Sequence, residues 1–294
     1  MMKLILGLSA FVVVRGSGLD KDWDFVIFGD GLSDVGNTFT ITQGSYPSAD
    51  YPYNSFSDEL SWPEYFICPP SLRKNGGACP DSVNLRNYAF AGATTDSRQV
   101  RGFTGPWGSW PVPGVAEQSD MYGCAMAGEG RKTVFHINVG ANDIYNSWAN
   151  QKKPLTEELY REVAKRTVDL VAWLEDDGDL DGVIIVSTMY PITLTPLGNA
   201  TVGQSYSNIA QEYNKVLLEL LEPRIKRGKT HVFEFTQVVT DFINTSGLKQ
   251  TKCPVTVPRN CSEYVFVDDY YPAATLHKAI AKNMTDLTNK ILKI

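Results

Sequence analysis

The sequence predicts a three-layer α/β/α sandwich on three observations. Short, nearly continuous apolar runs recur along the chain, amphipathic stretches of helical period separate them, and no internal repeat or low-complexity segment interrupts the alternation. Strands that are apolar on both faces belong to a parallel sheet covered by helices on each side. In such a sheet, ligands sit beyond the C-terminal ends of the strands.

The candidate strands, in order, are "DFVIFGD" (24–30), "RNYAFAG" (86–92), "TVFHINVG" (133–140), "GVIIVSTM" (182–189) and "HVFEFT" (231–236). In "LTEELYREVAKRTVDLVAWLE", Leu159, Val163, Leu170, Val171 and Leu174 recur near helical period behind the start signals Pro154 and Thr156. "YSNIAQEYNKVLLELLEPRI" repeats that pattern through Ile209, Tyr213, Leu217 and Leu220, and a last helix follows Pro272, from about Ala273 to Leu292. Residues 40–85 and 97–130 are long insertions rich in Pro, Gly and aromatic residues. Loops of that length in a compact domain shape binding clefts.

With 294 residues, 43% hydrophobic and 20% charged, the chain can bury a substantial core as one large domain. Its N-terminus, "MMKLILGLSAFVVVRGSG", has a basic start at Lys3, an apolar run from Leu4 to Val14, and small residues Gly16 and Gly18. This is the layout of a cleaved signal peptide over residues 1–18, too short for a membrane anchor; the alternative is a buried first strand. A secreted protein is therefore expected, with the folded domain at 19–294. The N-x-S/T sequons at Asn199, Asn244, Asn260 and Asn283 agree with that route. The five cysteines are read as two local disulfides, Cys68 with Cys79 and Cys253 with Cys261, leaving Cys124 over and buried. No spacing suggests a metal site, and "EDDGDLD" (Glu175–Asp181) reads as a solvated helix end. The net charge of -6 becomes -8 once Lys3 and Arg15 leave, which argues against nucleic acid or an anionic membrane as partner. No cofactor is implied, the expected partner is a small molecule, and the oligomeric state is open.

Four motifs carry a family resemblance. "FGDGLSDVGN" resembles block I of the GDSL, or SGNH, hydrolases, usually G-D-S-L-S-D-x-G-N. "NYAFAGATT" (Asn87–Thr95) looks like block II, "VGANDIY" (Val139–Tyr145) like block III, and "VFVDDYYPAATLHKAIA" (Val265–Ala281) like block V, usually D-x-x-H-P. The resemblance covers nearly the whole chain after residue 18. It implies a flavodoxin-like sandwich with five parallel strands, an oxyanion hole that includes Gly92 and Asn142, and a catalytic carboxylate at Asp268. Two positions depart from it. Gly31 stands where the nucleophilic serine belongs, and Tyr271 where the histidine belongs.

Ser-His-Asp catalysis needs a hydroxyl within reach of a base that titrates near neutral pH. Glycine has no oxygen, and a phenol of pKa about 10 is a poor base. Ser33, His277, His136 and His231 are read as structural, not as substitutes. The remaining donors, the Gly31 and Gly92 N–H groups, the Asn142 amide and the Tyr271 phenol, are those that stabilise developing negative charge on a carbonyl. Phe103, Trp107, Trp110, Tyr122 and Trp148 are candidate cleft aromatics, about a third of which should face a ligand, since such pockets are mainly apolar.

Three functions compete on these grounds. One is a recruited, non-hydrolytic enzyme that promotes cyclisation, isomerisation or hetero-Diels–Alder cycloaddition of a small carbonyl compound. The second is a secreted pseudoesterase that binds a carbohydrate or lipid, and the third a weak residual esterase.

Overall fold

The apolar run from Trp23 to Gly29 becomes one of the two central strands of the sheet. The computed structural model describes residues 14–16, 23–68, 83–126, 132–176, 182–201, 208–256 and 259–293. Strand β1 (Val14–Gly16) precedes β2 (Trp23–Gly29), which leads through α1 (Asn37–Ile41) and α2 (Trp62–Ile67) to β3 (Val83–Asn87). A small hairpin, β4 (Gly102–Thr104) and β5 (Trp110–Val112), comes before α3 (Val115–Met126) and β6 (Lys132–Asn138). Next are α4 (Ala141–Ala149), α5 (Glu157–Asp176) and β7 (Gly182–Ser187), then α6 (Pro196–Thr201), α7 (Ile209–Arg227) and β8 (Thr230–Phe233). The chain closes with α8 (Phe235–Ser246), β9 (Lys249–Lys252), β10 (Tyr264–Phe266) and α9 (Ala274–Leu292).

The main sheet has the order β1-β3-β2-β6-β7-β8. Every neighbour from β3 to β8 is parallel, giving the five expected parallel strands. Strand β1 lies antiparallel on β3, Val14 opposite Leu85, so three residues of the segment read as a leader pair with the sheet edge.

Alternation along the strands divides the core. Val26, Phe28, Phe135, Ile137, Ile184 and Val186 face α5 and α7, whose apolar stripes include Leu159, Val163, Val171, Leu174, Ile209, Tyr213 and Leu217. Phe25, Ile27, Val134, Ile185 and Phe233 face the other way, onto Trp62, Phe66, Val239, Leu276, Ile280 and Met284 of α2, α8 and α9. Each such side chain contributes roughly 1.5–3 kcal/mol when fully buried, so both layers are needed to hold a sheet that is apolar on two sides.

The second strand lies earlier than expected. Pairing runs from Val83 to Asn87, not from 86 to 92. Tyr88 N–H and Phe90 N–H still bond the Ile27 and Gly29 carbonyls, but Gln118 Oε1 takes the Gly29 N–H (2.8 Å) that would have met the Tyr88 carbonyl, while on the outer edge the Asn37 side chain takes the carbonyls of Asn87 (2.9 Å) and Ala89 (3.0 Å). The regular ladder therefore ends at Asn87, and the chain turns at Gly92, φ +84°.

Other expectations also shift. Glu175 is not solvated: its carboxylate is nearly buried against Arg224 Nη1 at 2.7 Å and accepts from Thr230 Oγ1. Cys124 is exposed, because it sits on the outer part of α3. Cys253 and Cys261 form the expected disulfide. Cys68 is disulfide-bonded, while Cys79 lies outside the described residues. Among the sequons, Asn244, Asn260 and Asn283 are exposed, and the side chain of Asn199 is outside the described set. Among the described residues no helix is long and apolar enough to cross a membrane.

Candidate functional site

β2 leads one way to β3 and β6 leads the other way to β7, so the sheet's topological switch point lies between the C-terminal ends of β2 and β6. Gly29 and Asn138, paired across that gap, hand the chain to Asp30-Gly31 and to Val139-Gly140. The Asp30 carboxylate is buried, accepts from Leu32 N–H (3.1 Å) and meets Asn138 Nδ2 at 3.3 Å. Burial raises its pKa to about 7.

A Cβ added to Gly31 would overlap the Tyr271 hydroxyl and lie 3.0 Å from both Tyr271 Cε1 and Ala91 Cβ. The phenol thus fills the space that a side chain at position 31 would enter, and Gly31 is buried beneath it. Phe56 stacks on the Tyr271 ring (centroids 4.5 Å apart, planes at 24°), and Tyr270 meets it edge-on. Burial first, then neighbouring phenols and carboxylates, holds the Tyr271 pKa well above the ordinary phenol range, so the hydroxyl keeps its proton and can donate a hydrogen bond. Its hydroxyl has no hydrogen-bond partner among the described residues. Asp268, three residues earlier, is used up locally: its Oδ1 accepts from the Tyr270 N–H (2.7 Å) and the Tyr271 N–H, and its Oδ2 from the Tyr51 hydroxyl.

Above Tyr271 opens a cleft of about 360 Å³ lined by Gly92, Asn142, Phe103 and Trp148, among others, with no charged side chain in its described lining. Gly92 is required where it is. Its φ of +84° suits glycine, and a Cβ there would run into the Phe103 carbonyl of the β4–β5 hairpin. Its N–H has no backbone acceptor among the described residues. Asn142 lies in the first turn of α4, behind Gly140 at φ +118°. One hydrogen of its amide is on the Ala93 carbonyl (2.9 Å), which leaves the second for the cleft. Its neighbour Asp143 is fully buried and ties α4 to the Gly92 loop through Thr95 N–H (2.9 Å) and Thr95 Oγ1. Burial raises its pKa to about 6, against the pull of Thr95 and of Arg166 at 4.0 Å.

The structure therefore brings together Gly92, Asn142, Tyr271, Phe103 and Trp148, and places the other candidates elsewhere. Gly31 lies under Tyr271, outside the lining, and Asp268 lies behind it. Trp107 is fully exposed at the hairpin tip, and Trp110 packs on Gly105 within the hairpin. Tyr122 faces inward on α3, against Phe28, Tyr88 and Phe135. Residue type announces an aromatic but not its direction, and none of these three is in the described lining of the cleft. Sequence reasoning missed Tyr46, Tyr145, Tyr270, Ile192 and Leu197, which also line it. Tyr145 was detectable, because on a helix it follows Asn142 and precedes Trp148 by three residues, a spacing that shares one face.

The substitutes considered for the triad are structural. Ser33 is fully buried and accepts from Trp62 Nε1 (3.3 Å). His277 Nδ1 accepts from Trp62 N–H (3.1 Å), and His136 Nε2 meets Ser187 Oγ at 2.7 Å. Burial pushes both histidines down to about 3, so neither is charged at neutral pH. His231 is half-buried in β8, its pKa lowered by burial. Among the described residues no group of His, Cys, Asp and Glu is arranged to hold a metal ion.

Comparison with known proteins bears on this geometry. The family model described as GDSL-like lipase/acylhydrolase matches residues 25–284. The chain is 23% identical over 289 residues to the thermolabile hemolysin of Vibrio parahaemolyticus; this covers 90% of the chain but only 64% of that relative's length. Among solved structures, a protein of Parabacteroides merdae described as a GDSL-like lipase superposes with a TM-score of 0.53 at 14% identity, covering 93% of this chain and 99% of its own. A catalytic mutant of Axe2, an acetylxylan esterase from Geobacillus stearothermophilus, gives 0.51 at 12% identity, covering 95% and 96%. At these identities the likeness to solved structures speaks for the fold.

Proposed function

The chain belongs to the GDSL-like lipase/acylhydrolase family, and from that premise we propose that it has given up the family's acyl transfer for catalysis by hydrogen-bond donation. One observation carries this reading: the Tyr271 hydroxyl sits in the space where a side chain at Gly31 would be. With glycine at the nucleophile's position and a protonated phenol over it, that position supplies neither an attacking oxygen nor a base to activate one. What remains is a neutral, aromatic-walled cleft with the Tyr271 O–H, the Gly92 N–H and the second Asn142 amide hydrogen as donors. Donors fixed in an apolar site stabilise charge that develops on a carbonyl oxygen, and each is worth a few kcal/mol in a transition state.

The substrate is a small, fairly hydrophobic carbonyl compound, and the reaction a cyclisation, isomerisation or cycloaddition of the hetero-Diels–Alder type in a natural-product route. Such steps need reacting partners held in geometry and a polarised enone, with no covalent intermediate. Secretion and glycosylation belong to the same reading, supported by the N-terminal layout, the exposed Asn244, Asn260 and Asn283, and the Cys253–Cys261 disulfide.

The test is a metabolite profile of the source organism with and without this gene. A lost cyclised product with its precursor accumulating, restored by purified protein, is the expected result. Tyr271→Phe and Asn142→Ala should each restore it at least tenfold more slowly. An unchanged profile where the gene is expressed overturns the reading in favour of a secreted binder of carbohydrate or lipid. The half-exposed rings of Tyr145 and Trp148 on the cleft rim, centroids 6.3 Å apart, favour that alternative.

A further inference from the structure

The insertion at 40–85 is expected to shape a cleft, and its described part, residues 40–68, supplies one wall. Tyr46, in the loop after α1, lines the cleft together with Tyr271. The two rings are held by one residue: Phe56, 2% exposed, stacks on Tyr271 at 4.5 Å and meets Tyr46 at 5.3 Å. Tyr51 packs on the same ring at 6.0 Å, but its hydroxyl is spent on Asp268. The Tyr46 hydroxyl, like that of Tyr271, has no hydrogen-bond partner among the described residues, although its main chain is tied down through Thr42 Oγ1. Two of the three phenols around Phe56 are thus left as open donors in a cleft without a charged side chain in its described lining.

We propose that Tyr46 is a second phenol donor of this site and that Tyr46 and Tyr271 together select an uncharged, conjugated carbonyl compound. This rests on the reading above, which assigns the donor role to Tyr271, Gly92 and Asn142. The chemistry excludes close alternatives. A carboxylate ligand would meet no cation in the described lining and would face Asp268 and Asp30 behind the floor. An alkane-like ligand would leave two phenols desolvated without acceptors, which is unfavourable. A flat ketone, by contrast, offers lone pairs to the phenols and a ring to Phe103 and Trp148. Burial and the Asp268 charge raise the Tyr46 pKa, so this hydroxyl also keeps its proton.

The experiment uses the full chain and a neutral aromatic ketone, 6-propionyl-2-dimethylaminonaphthalene, whose emission moves to the red when its carbonyl accepts hydrogen bonds. Wild-type protein should bind it in the cleft with hydrogen-bonded emission. Tyr46→Phe and Tyr271→Phe should each weaken binding roughly three- to tenfold, in line with loss of a neutral hydrogen bond, and shift the bound emission to the blue. Both changes keep the ring on Phe56, and circular dichroism reports whether the fold is kept. If Tyr271→Phe weakens and blue-shifts the probe while Tyr46→Phe matches wild type, the inference falls and the functional reading stands. If wild type, Tyr271→Phe and Asn142→Ala all bind the ketone alike, the functional reading itself falls.

Discussion

Gly31 and Tyr271 are coupled by contact, so their substitutions should not add. Gly31→Ser alone puts a Cβ into the Tyr271 hydroxyl and should cost about 1–3 kcal/mol, as overpacking does in a tight site. In the background of Tyr271→His the smaller ring leaves room, and most of that cost should disappear. A urea-denaturation double-mutant cycle measures the difference; strictly additive values would mean that the two side chains do not compete for one space. Asp30, beside Gly31, gives a separate test. Its pKa is raised from 3.8 to about 7 by burial, so its contribution to stability is fully present below about pH 3.8 and is lost as pH rises through 7. His136 and His277, lowered from 6.5 to about 3, work in the opposite sense: their contribution is present above 6.5 and lost as pH falls towards 3. The wild-type profile is therefore flattened, and Asp30→Asn should unmask the histidines. Relative to wild type, the variant should gain stability steadily between pH 4 and 7, by up to a few kcal/mol. A constant difference across that range would place the Asp30 proton elsewhere.

At the scale of elements, α9 is started by a residue from another part of the chain. Ala273 provides no side-chain cap, and the Asp58 carboxylate instead accepts from Ala274 N–H (2.8 Å) and, through its other oxygen, from Cys261 N–H (3.0 Å). Asp58→Ala should cost about 1–3 kcal/mol by leaving two buried donors unpaired, and Asp58→Asn should cost less because an amide keeps one acceptor. Thermal melts of the two variants check the order. This cap was not legible in the sequence, since nothing local distinguishes Asp58 from other loop carboxylates. The long helices were legible, because α5, α7 and α9 each bury one stripe and the periodicity records it. The strand expected at 86–92 shows the limit: its apolar residues do run beside β2, but the Gln118 side chain, from α3, takes the Gly29 N–H that would have continued the ladder onto the Tyr88 carbonyl.

For the whole molecule, the sandwich could be read because a parallel sheet buried on both faces must be built from continuous apolar strands, and β2, β6 and β7 are. The place of the site follows from the strand order, which puts the switch point at the Asp30-Gly31 turn. Gly92, Asn142 and Tyr271 could be read because each belongs to a motif with its own chemistry. Tyr46, Tyr270 and the direction of the hairpin tryptophans could not, since loops carry no periodicity from which a facing side can be inferred. Least legible was the way the two departures fit together, the phenol from one end of the chain occupying the slot of the missing side chain at the other. On the reading proposed above, that arrangement leaves a cleft that donates hydrogen bonds, with no serine or cysteine in its described lining. Intact-mass spectrometry of the protein after incubation with a fluorophosphonate tests this most directly. The chain should stay at its unmodified mass, with Ser33 buried under Trp62; a single stoichiometric adduct on any serine would contradict the claim and return the protein to serine catalysis.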